Sequence, residues 1–200
     1  MNENDILKGR LKDLANAAFR QNRYTYTNFL SAADMEVFYS NLEQLSFAGY
    51  TIFGGRESCD RVMIAFGNEA DCGYAPAFPI CTMKVSAVSD KFSDDLNHRD
   101  FLGALMNLGI EREMVGDILV TESTHSGKHN NAYIFCVDTV ADYIAENLTK
   151  IRHTNVKCTF CSTQDTYEIQ IKKEPLHIIA ASARADAVTA TITGLSRSST

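Results

Sequence analysis

The 200-residue chain lacks the features of a membrane or secreted protein. No apolar run approaches the roughly 18 residues that a spanning helix needs. The opening MNENDILKGRLKDL carries charges where a signal peptide has its apolar core. These absences predict a cytoplasmic protein without membrane insertion. A cationic excess is missing too: 19 Lys and Arg stand against 25 Asp and Glu, for a formal net charge of -6. Phosphate binding relies on Lys and Arg displacing counterions, so a strong, autonomous nucleic-acid binder is disfavoured and any RNA contact has to be local or lie outside this stretch. There is no repeat of short period, and no low-complexity tract apart from the terminal SRSST. With 45% hydrophobic and 22% charged residues, what remains is ordinary globular composition, which argues against disorder along the whole chain.

Recognisable catalytic and metal motifs are also scarce. Six cysteines are expected as thiols in the cytosol. Cys158 and Cys161 form a single C-x-x-C pair, and on a strand their odd separation places them on opposite faces. Cys72 and Cys81 complete no familiar zinc spacing. His125 and His129 flank Gly127 in a polar stretch without identifiable further ligands, as solvated loop histidines would. Gly54-Gly55-Arg56, with Arg61 beyond, lacks the Gly-Lys-Ser/Thr of a phosphate-binding loop and reads as a hairpin turn carrying basic residues. The cluster His98, Arg99, Asp100, Gly103, Gly109, Arg112, Gly116 and Asp117 invites an acid–base reading. A helical one fits as well: Asp100 complements a helix N-terminus, and the glycines supply turns or close approach. No Ser or Cys nucleophile is visibly coupled to His98. Arg99 and Arg112 suit either phosphates or solvated salt bridges. The expectation is no enzyme, no metal and no cofactor.

The apolar pattern predicts the elements. Leu7, Leu11, Leu14 and Ala18 form one stripe of a helix over residues 3–20. Ser31 caps a second helix, with Asp34 three residues on; Met35, Phe38, Leu42 and Leu45 continue it towards a stop near Gly49. Tyr50–Phe53 and Arg61–Phe66 read as strands. This ααββ unit, residues 1–76, ends where Pro76 and Pro79 break the pattern. Residues 77–165 then give a strand at Cys81–Val88 and a helix from Asn97 through Leu108. Strands follow at Asp117–Glu122 and Ala132–Val137, the polar 123–131 loop between them. Asp138 or Thr139 caps the next helix, Thr139 with Asp142 at capping-box spacing, and its stripe is Val140, Ile144, Leu148 and Ile151. A last strand covers Val156–Cys161. The βαββαβ order is that of ferredoxin-like and RNA-recognition domains, so the fold class is α+β. Residues 166–200 hold two short β-like runs around Pro175 and a segment from Arg184 to Leu195 whose spacing allows a helix but whose Thr189, Thr191 and Thr193 weigh against one.

On the strand Ala132–Val137, alternation puts Tyr133, Phe135 and Val137 on one face and Ile134 and Cys136 on the other. RNA-recognition sheets stack bases on aromatics of this central strand. Packing against the N-terminal unit or the C-terminal hairpin is the competing use, and the neighbouring strand offers no aromatic. In the tail, Arg184-x-Asp186 followed by Ser196-Arg197 fits either an ordinary charged tail or the start of the small RNA-binding domain named after ribosomal small-subunit protein four.

Taken together, Ile52-Phe53-Gly54-Gly55 with Arg61, HRDFLGALMNLGIEREMVGDILV (residues 98–120), AYIFCVDTVADYIAENLTKI (residues 132–151), and Arg184, Asp186, Ser196 and Arg197 resemble the bacterial YlmH family over about residues 5–200. That resemblance implies an RNA-recognition-like middle region and a C-terminal module of the ribosomal-protein-four type, whose second helix should begin close to Thr200. Ala185 stands where the family usually has leucine. It implies RNA binding at the large ribosomal subunit, with rRNA and tRNA as partners, in translation quality control, and a link to cell division. Arg184, Ser196 and Arg197 become RNA contacts, with Asp186 bracing the module. Arg56, Arg61, Arg99, Arg112, Tyr133 and Phe135 are further RNA candidates. His98, Asp100, Asp117 and the glycines at 54, 55, 103, 109 and 116 are structural supports. The alternative is a protein-interaction adaptor linked to division, marked by an exposed apolar patch.

Overall fold

The computed structural model of the chain describes residues 3–123, 127–166, 169, 184, 187–189 and 192. Residues 1–169 form one compact unit and residues 170–200 a second.

The first unit opens with α1 (Glu3–Gln21), which buries Leu11, Ala15 and Ala18 along one stripe. β1 (Thr25–Tyr26) follows, then α2 (Ala32–Ser40), whose Ser31 cap and Asp34 exchange the two hydrogen bonds of a capping box. The continuous helix expected through Leu45 breaks at Asn41. There φ is -114°, and the side-chain amide donates back to the Val37 carbonyl at 2.8 Å. An Asn that satisfies a carbonyl of the preceding turn competes with helix propagation. α3 (Leu42–Leu45) and a 3-10 turn complete the run, and Gly49, at φ +73°, ends it. The apolar stripe survives the break, since Phe38 and Leu45 share a core with Leu11, Ile64 and Phe66. β2 (Tyr50–Phe53) and β3 (Met63–Phe66) pair antiparallel, with β3 central between β1 and β2. All four β3 residues are buried, because this strand is covered on both faces. The short α4 (Glu69–Cys72) carries too little periodicity to be foreseen.

β4 (Ile80–Ala87), α5 (His98–Asn107), β5 (Val115–Glu122), β6 (His129–Val137), α6 (Asp138–Asn147), β7 (Lys150–Ile151) and β8 (Thr154–Phe160) complete the unit. The sheet order is β5-β6-β4-β8-β7, and every pairing is antiparallel. This is the βαββαβ arrangement with one short strand added. Asn97 and Asp100 form the capping box of α5. The Thr139–Asp142 box is not used: α6 leaves Val137 directly and has no side-chain cap. α6 also stops at Asn147, so Ile151 leaves the helix stripe and is buried in the β7–β8 hairpin instead. Met83, Val85 and Ile134 meet Phe101, Leu105 and Ile144 in the core between sheet and helices. Among the described residues, no helix is long and apolar enough to cross a membrane.

In the second unit, residues 187–189 are helical. The Val188 N–H donates to the Arg184 carbonyl at 3.0 Å, and Ala187 is buried. Apart from Ile169, the expected β-like runs around Pro175 lie outside the described residues.

Candidate nucleic-acid interface

The sheet face turned away from α5 and α6 is where the candidate aromatics fall. Cross-strand register sets Lys84 opposite Tyr133, Thr82 opposite Phe135, Leu119 opposite Tyr133 and Ser86 opposite Lys157, so these side chains share that face. The face is divided in two.

One half is closed. Phe135, Val137 and Leu119 pack with Phe29 and Met63, joining the two sheets through a third apolar cluster. A Cβ on Gly55 would stand 2.5 Å from Phe135 Cδ1, and one on Gly116 would stand 2.6 Å from Phe29 Cε1. Gly54 is equally tight, with Cys59 Cβ at 2.4 Å. Only hydrogen fits at these three positions, which lets the aromatic rings seat directly on main chain. Phe135 is wholly buried, so base stacking by Phe135 is corrected: its ring is the plug of the seam.

The same seam absorbs three of the candidate arginines. Arg61 donates from Nε to the Val115 carbonyl at 3.1 Å and from Nη2 to Phe29 and Arg112 carbonyls at 2.9 and 3.4 Å. Arg112 donates from Nη1 to Val115 and Gly116 carbonyls. Burial lowers the pKa of both guanidinium groups, and the proximity of Arg61 lowers that of Arg112 further. Arg56 donates from Nη1 to the carbonyls of Thr166 at 2.7 Å and Ile169 at 3.3 Å. A planar guanidinium supplies several donors at once, so each of these arginines can tie together two or three carbonyl oxygens. Arg56, Arg61 and Arg112 are therefore corrected from phosphate contacts to braces. Asp117 completes the clamp by accepting from the main-chain N–H groups of Asp60 at 2.8 Å and Arg61 at 3.1 Å.

The remaining candidates are scattered. Arg99 is exposed on the first turn of α5. His98 has its pKa lowered by burial and by Arg112, against the opposite pull of Asp117. Asp100 caps α5 and stands 3.7 Å from Arg152. Gly109, at φ +82°, follows the Leu108 cap of that helix, while Gly103 has open space around it. His129 is a bridge, not a solvated loop residue: Nδ1 is 3.1 Å from Asp95 and Nε2 3.3 Å from Glu122. His125 lies outside the described residues, as do Asp186, Ser196 and Arg197; Arg184 is exposed in the second unit. The described residues hold no His, Cys, Asp and Glu group able to bind a metal. Cys81 and Cys136 are cross-strand neighbours, and burial pushes the Cys136 thiol up to about 12 and that of Cys158 up to about 11.

The other half of the face is open. Tyr133, Lys84, Ser86, Asn131, Thr121 and Lys157 line a cavity of about 510 Å³. Lys84 Nζ sits 5.6 Å from the Tyr133 ring centroid, a cation–π contact that orients both. Lys157 is exposed and forms no ion pair among the described residues. Two carboxylates reach this cavity, but each has partners: Asp90 accepts from Ser123 and Asn130, and Glu122 meets His129. Sequence reasoning missed Lys84 and Lys157. Their signal was a basic residue at the polar phase of each alternating strand, but only the register shows that they flank one tyrosine.

Residues 76–165 match the family model described as the putative RNA-binding domain in YlmH. The chain is also similar to ribosome-associated protein quality control protein P2 of Bacillus subtilis (strain 168). The two are 28% identical over 177 residues, covering 88% of this chain and 65% of that protein. The chain thus spans 65% of the length of that curated relative. Among solved structures it resembles the cell division protein ylmH from Streptococcus pneumoniae, with a TM-score of 0.61 at 16% identity. That match covers 82% of this chain and 94% of the other, and it bears on the fold.

Proposed function

We propose that the chain is a member of the YlmH family and a cytoplasmic RNA-binding protein of the ribosome, serving translation quality control without chemistry of its own. The observation that carries this reading is the open half-sheet. Within the stretch matched by an RNA-binding-domain model, Lys84, Tyr133 and Lys157 stand together beside a cavity on a chain that is acidic overall. Two ammonium groups offer phosphate attraction, and the tyrosine offers a ring to a base. In this reading the partners are rRNA and tRNA at the large subunit, and Arg184, Ser196 and Arg197 of the second unit add further phosphate contacts. Catalysis has little support: among the described residues no hydroxyl or thiol is hydrogen-bonded to His98, and its charged neighbours Arg112 and Asp117 are engaged in the seam.

The test is binding of the full chain to purified large subunits and rRNA over a salt series. Affinity should fall steeply with salt, and Lys84→Gln with Lys157→Gln should flatten the slope by about one to two phosphate contacts. Binding indifferent to both salt and the substitutions would sink the reading.

A second reading, an adaptor for division proteins, is favoured by one observation. Phe19 and Phe47 stack edge to face at 5.4 Å while remaining 57% and 45% exposed. Loss of a protein partner with Phe19→Ala, while ribosome binding persists, would separate this role from the first.

A further inference from the structure

The loop between β4 and α5 displays two apolar side chains to solvent, Val88 at 64% and Phe92 at 76% exposure. Single exposed apolar residues are common and need no explanation. What sets Phe92 apart is how firmly its loop is held. Asp90 accepts from Ser123 Oγ at 2.8 Å and Asn130 Nδ2 at 2.7 Å; Asn130, itself fully buried, also donates to Ser93 Oγ at 2.8 Å. Lys128 Nζ donates to the Ser93 carbonyl at 2.6 Å, and the Asp94 N–H to Thr154 Oγ1 at 2.7 Å. The Val88 N–H donates to the Asn155 carbonyl at 2.9 Å. A buried polar network of this kind fixes a loop in one shape. It holds the backbone on both sides of a phenylalanine that it leaves in water.

Location supplies the second observation. Asp90, two residues before Phe92, lines the cavity that Lys84, Tyr133 and Lys157 share. Residues 90–92 form a 3-10 turn, and its rise of about 2 Å per residue keeps the Phe92 backbone at the rim of that cavity. Lys91 Nζ stands over the Phe92 ring, 5.4 Å from its centroid. One ring face thus carries a cation and the other is left for a flat partner.

We propose that the loop over residues 88–92 is a nucleobase platform for unpaired RNA. Phe92 takes a base on its free face, and Lys91, Lys84 and Lys157 take the adjoining phosphates. The inference rests on the RNA-binding reading above and narrows it to a substrate class. Bases inside a duplex have both faces covered by their neighbours, whereas a splayed base can stack on an aromatic ring. Lys91 over the ring and the two lysines of the cavity suit a polyanion, and the nearby carboxylates of Asp90, Asp94 and Asp95 each accept from protein N–H or O–H donors.

The experiment measures fluorescence anisotropy of the full chain with a labelled 12-nucleotide single strand and with the same sequence as a duplex. The single strand is expected to bind more tightly. Phe92→Ala should weaken single-strand binding by about tenfold, in the range of one lost base stack. Duplex binding and thermal midpoint should not move, and Phe92→Tyr should restore affinity where Phe92→Leu does not. Single-strand binding unchanged in Phe92→Ala, but lost in the Lys84→Gln/Lys157→Gln pair, would overturn the platform while sparing RNA binding, and would leave Phe92 to a protein partner. A duplex bound as tightly as the single strand would overturn it as well. Binding of neither RNA would overturn both.

Discussion

Tyr133 and Phe135 are two residues apart on one strand and point to the same side of the sheet, yet they serve opposite ends. Phe135 is wholly buried beneath Gly55 and shares an apolar cluster with Phe29 and Met63. Tyr133 lines an open cavity with a lysine over its ring. The difference does not lie in the strand, because the pleat treats positions i and i+2 alike. It comes from where the first sheet lands on the second. The glycines at 54, 55 and 116, the Arg61 and Arg112 guanidinium groups and the Asp117 carboxylate secure the landing. A recognition-type sheet is thereby half converted into a packing surface. What remains for ligand is the half bearing Lys84 and Lys157.

This contrast can be broken most directly at Phe135. Phe135→Ala should cost about 3–5 kcal/mol of stability, the usual loss for a buried phenylalanine, read as a lowered denaturant midpoint. A loss below 1 kcal/mol would mean the seam is not a packed core. Gly55→Ala comes next, at about 1–3 kcal/mol from overpacking, with added strain from a residue at φ +104°; differential scanning calorimetry would read it. Tyr133→Ala should behave differently: its half-buried ring packs only at the edge of the cluster, so its loss should cost about 1 kcal/mol while weakening RNA binding by about tenfold. Equal effects of Tyr133→Ala and Phe135→Ala on stability would erase the distinction between the two halves.

The smallest effect concerns the thiols behind the sheet. Burial raises Cys136 to about 12 from an ordinary value of 9.0, so folding disfavours its thiolate. Its contribution to stability is intact below pH 9 and declines as pH rises from there towards 12. Iodoacetamide at pH 8.5 should therefore leave Cys136 unmodified in the native protein and label it in denaturant, as mass spectrometry would show.

Much of the fold was legible in the sequence. Period and caps placed α1, α5 and the four main strands of the recognition-type sheet within a few residues, because local spacing alone sets which side of an element is apolar. The Asn97 cap of α5 was equally local. The misses share a cause. The break at Asn41 and the capture of Ile151 by a hairpin depend on which hydrogen-bonding partner wins, a competition that apolar spacing does not record. The candidate site was read less well. Basic residues near glycines suggested phosphate contacts at 56, 61 and 112, but an arginine beside a turn looks the same whether its partner is a phosphate or a distant carbonyl.

The amino-acid order by itself determined the α+β class, the βαββαβ succession and the two faces of each strand, since helix and strand periods act over a few neighbouring residues. Only the tertiary structure decided which half of one face stays open, which arginines are consumed as braces, and that Lys84 and Lys157 flank Tyr133. Those outcomes turn on contacts between segments 30 to 110 residues apart, such as Arg61 with Phe29 and Arg56 with Thr166. Such contacts follow from strand register and the docking of two sheets, which no local pattern encodes.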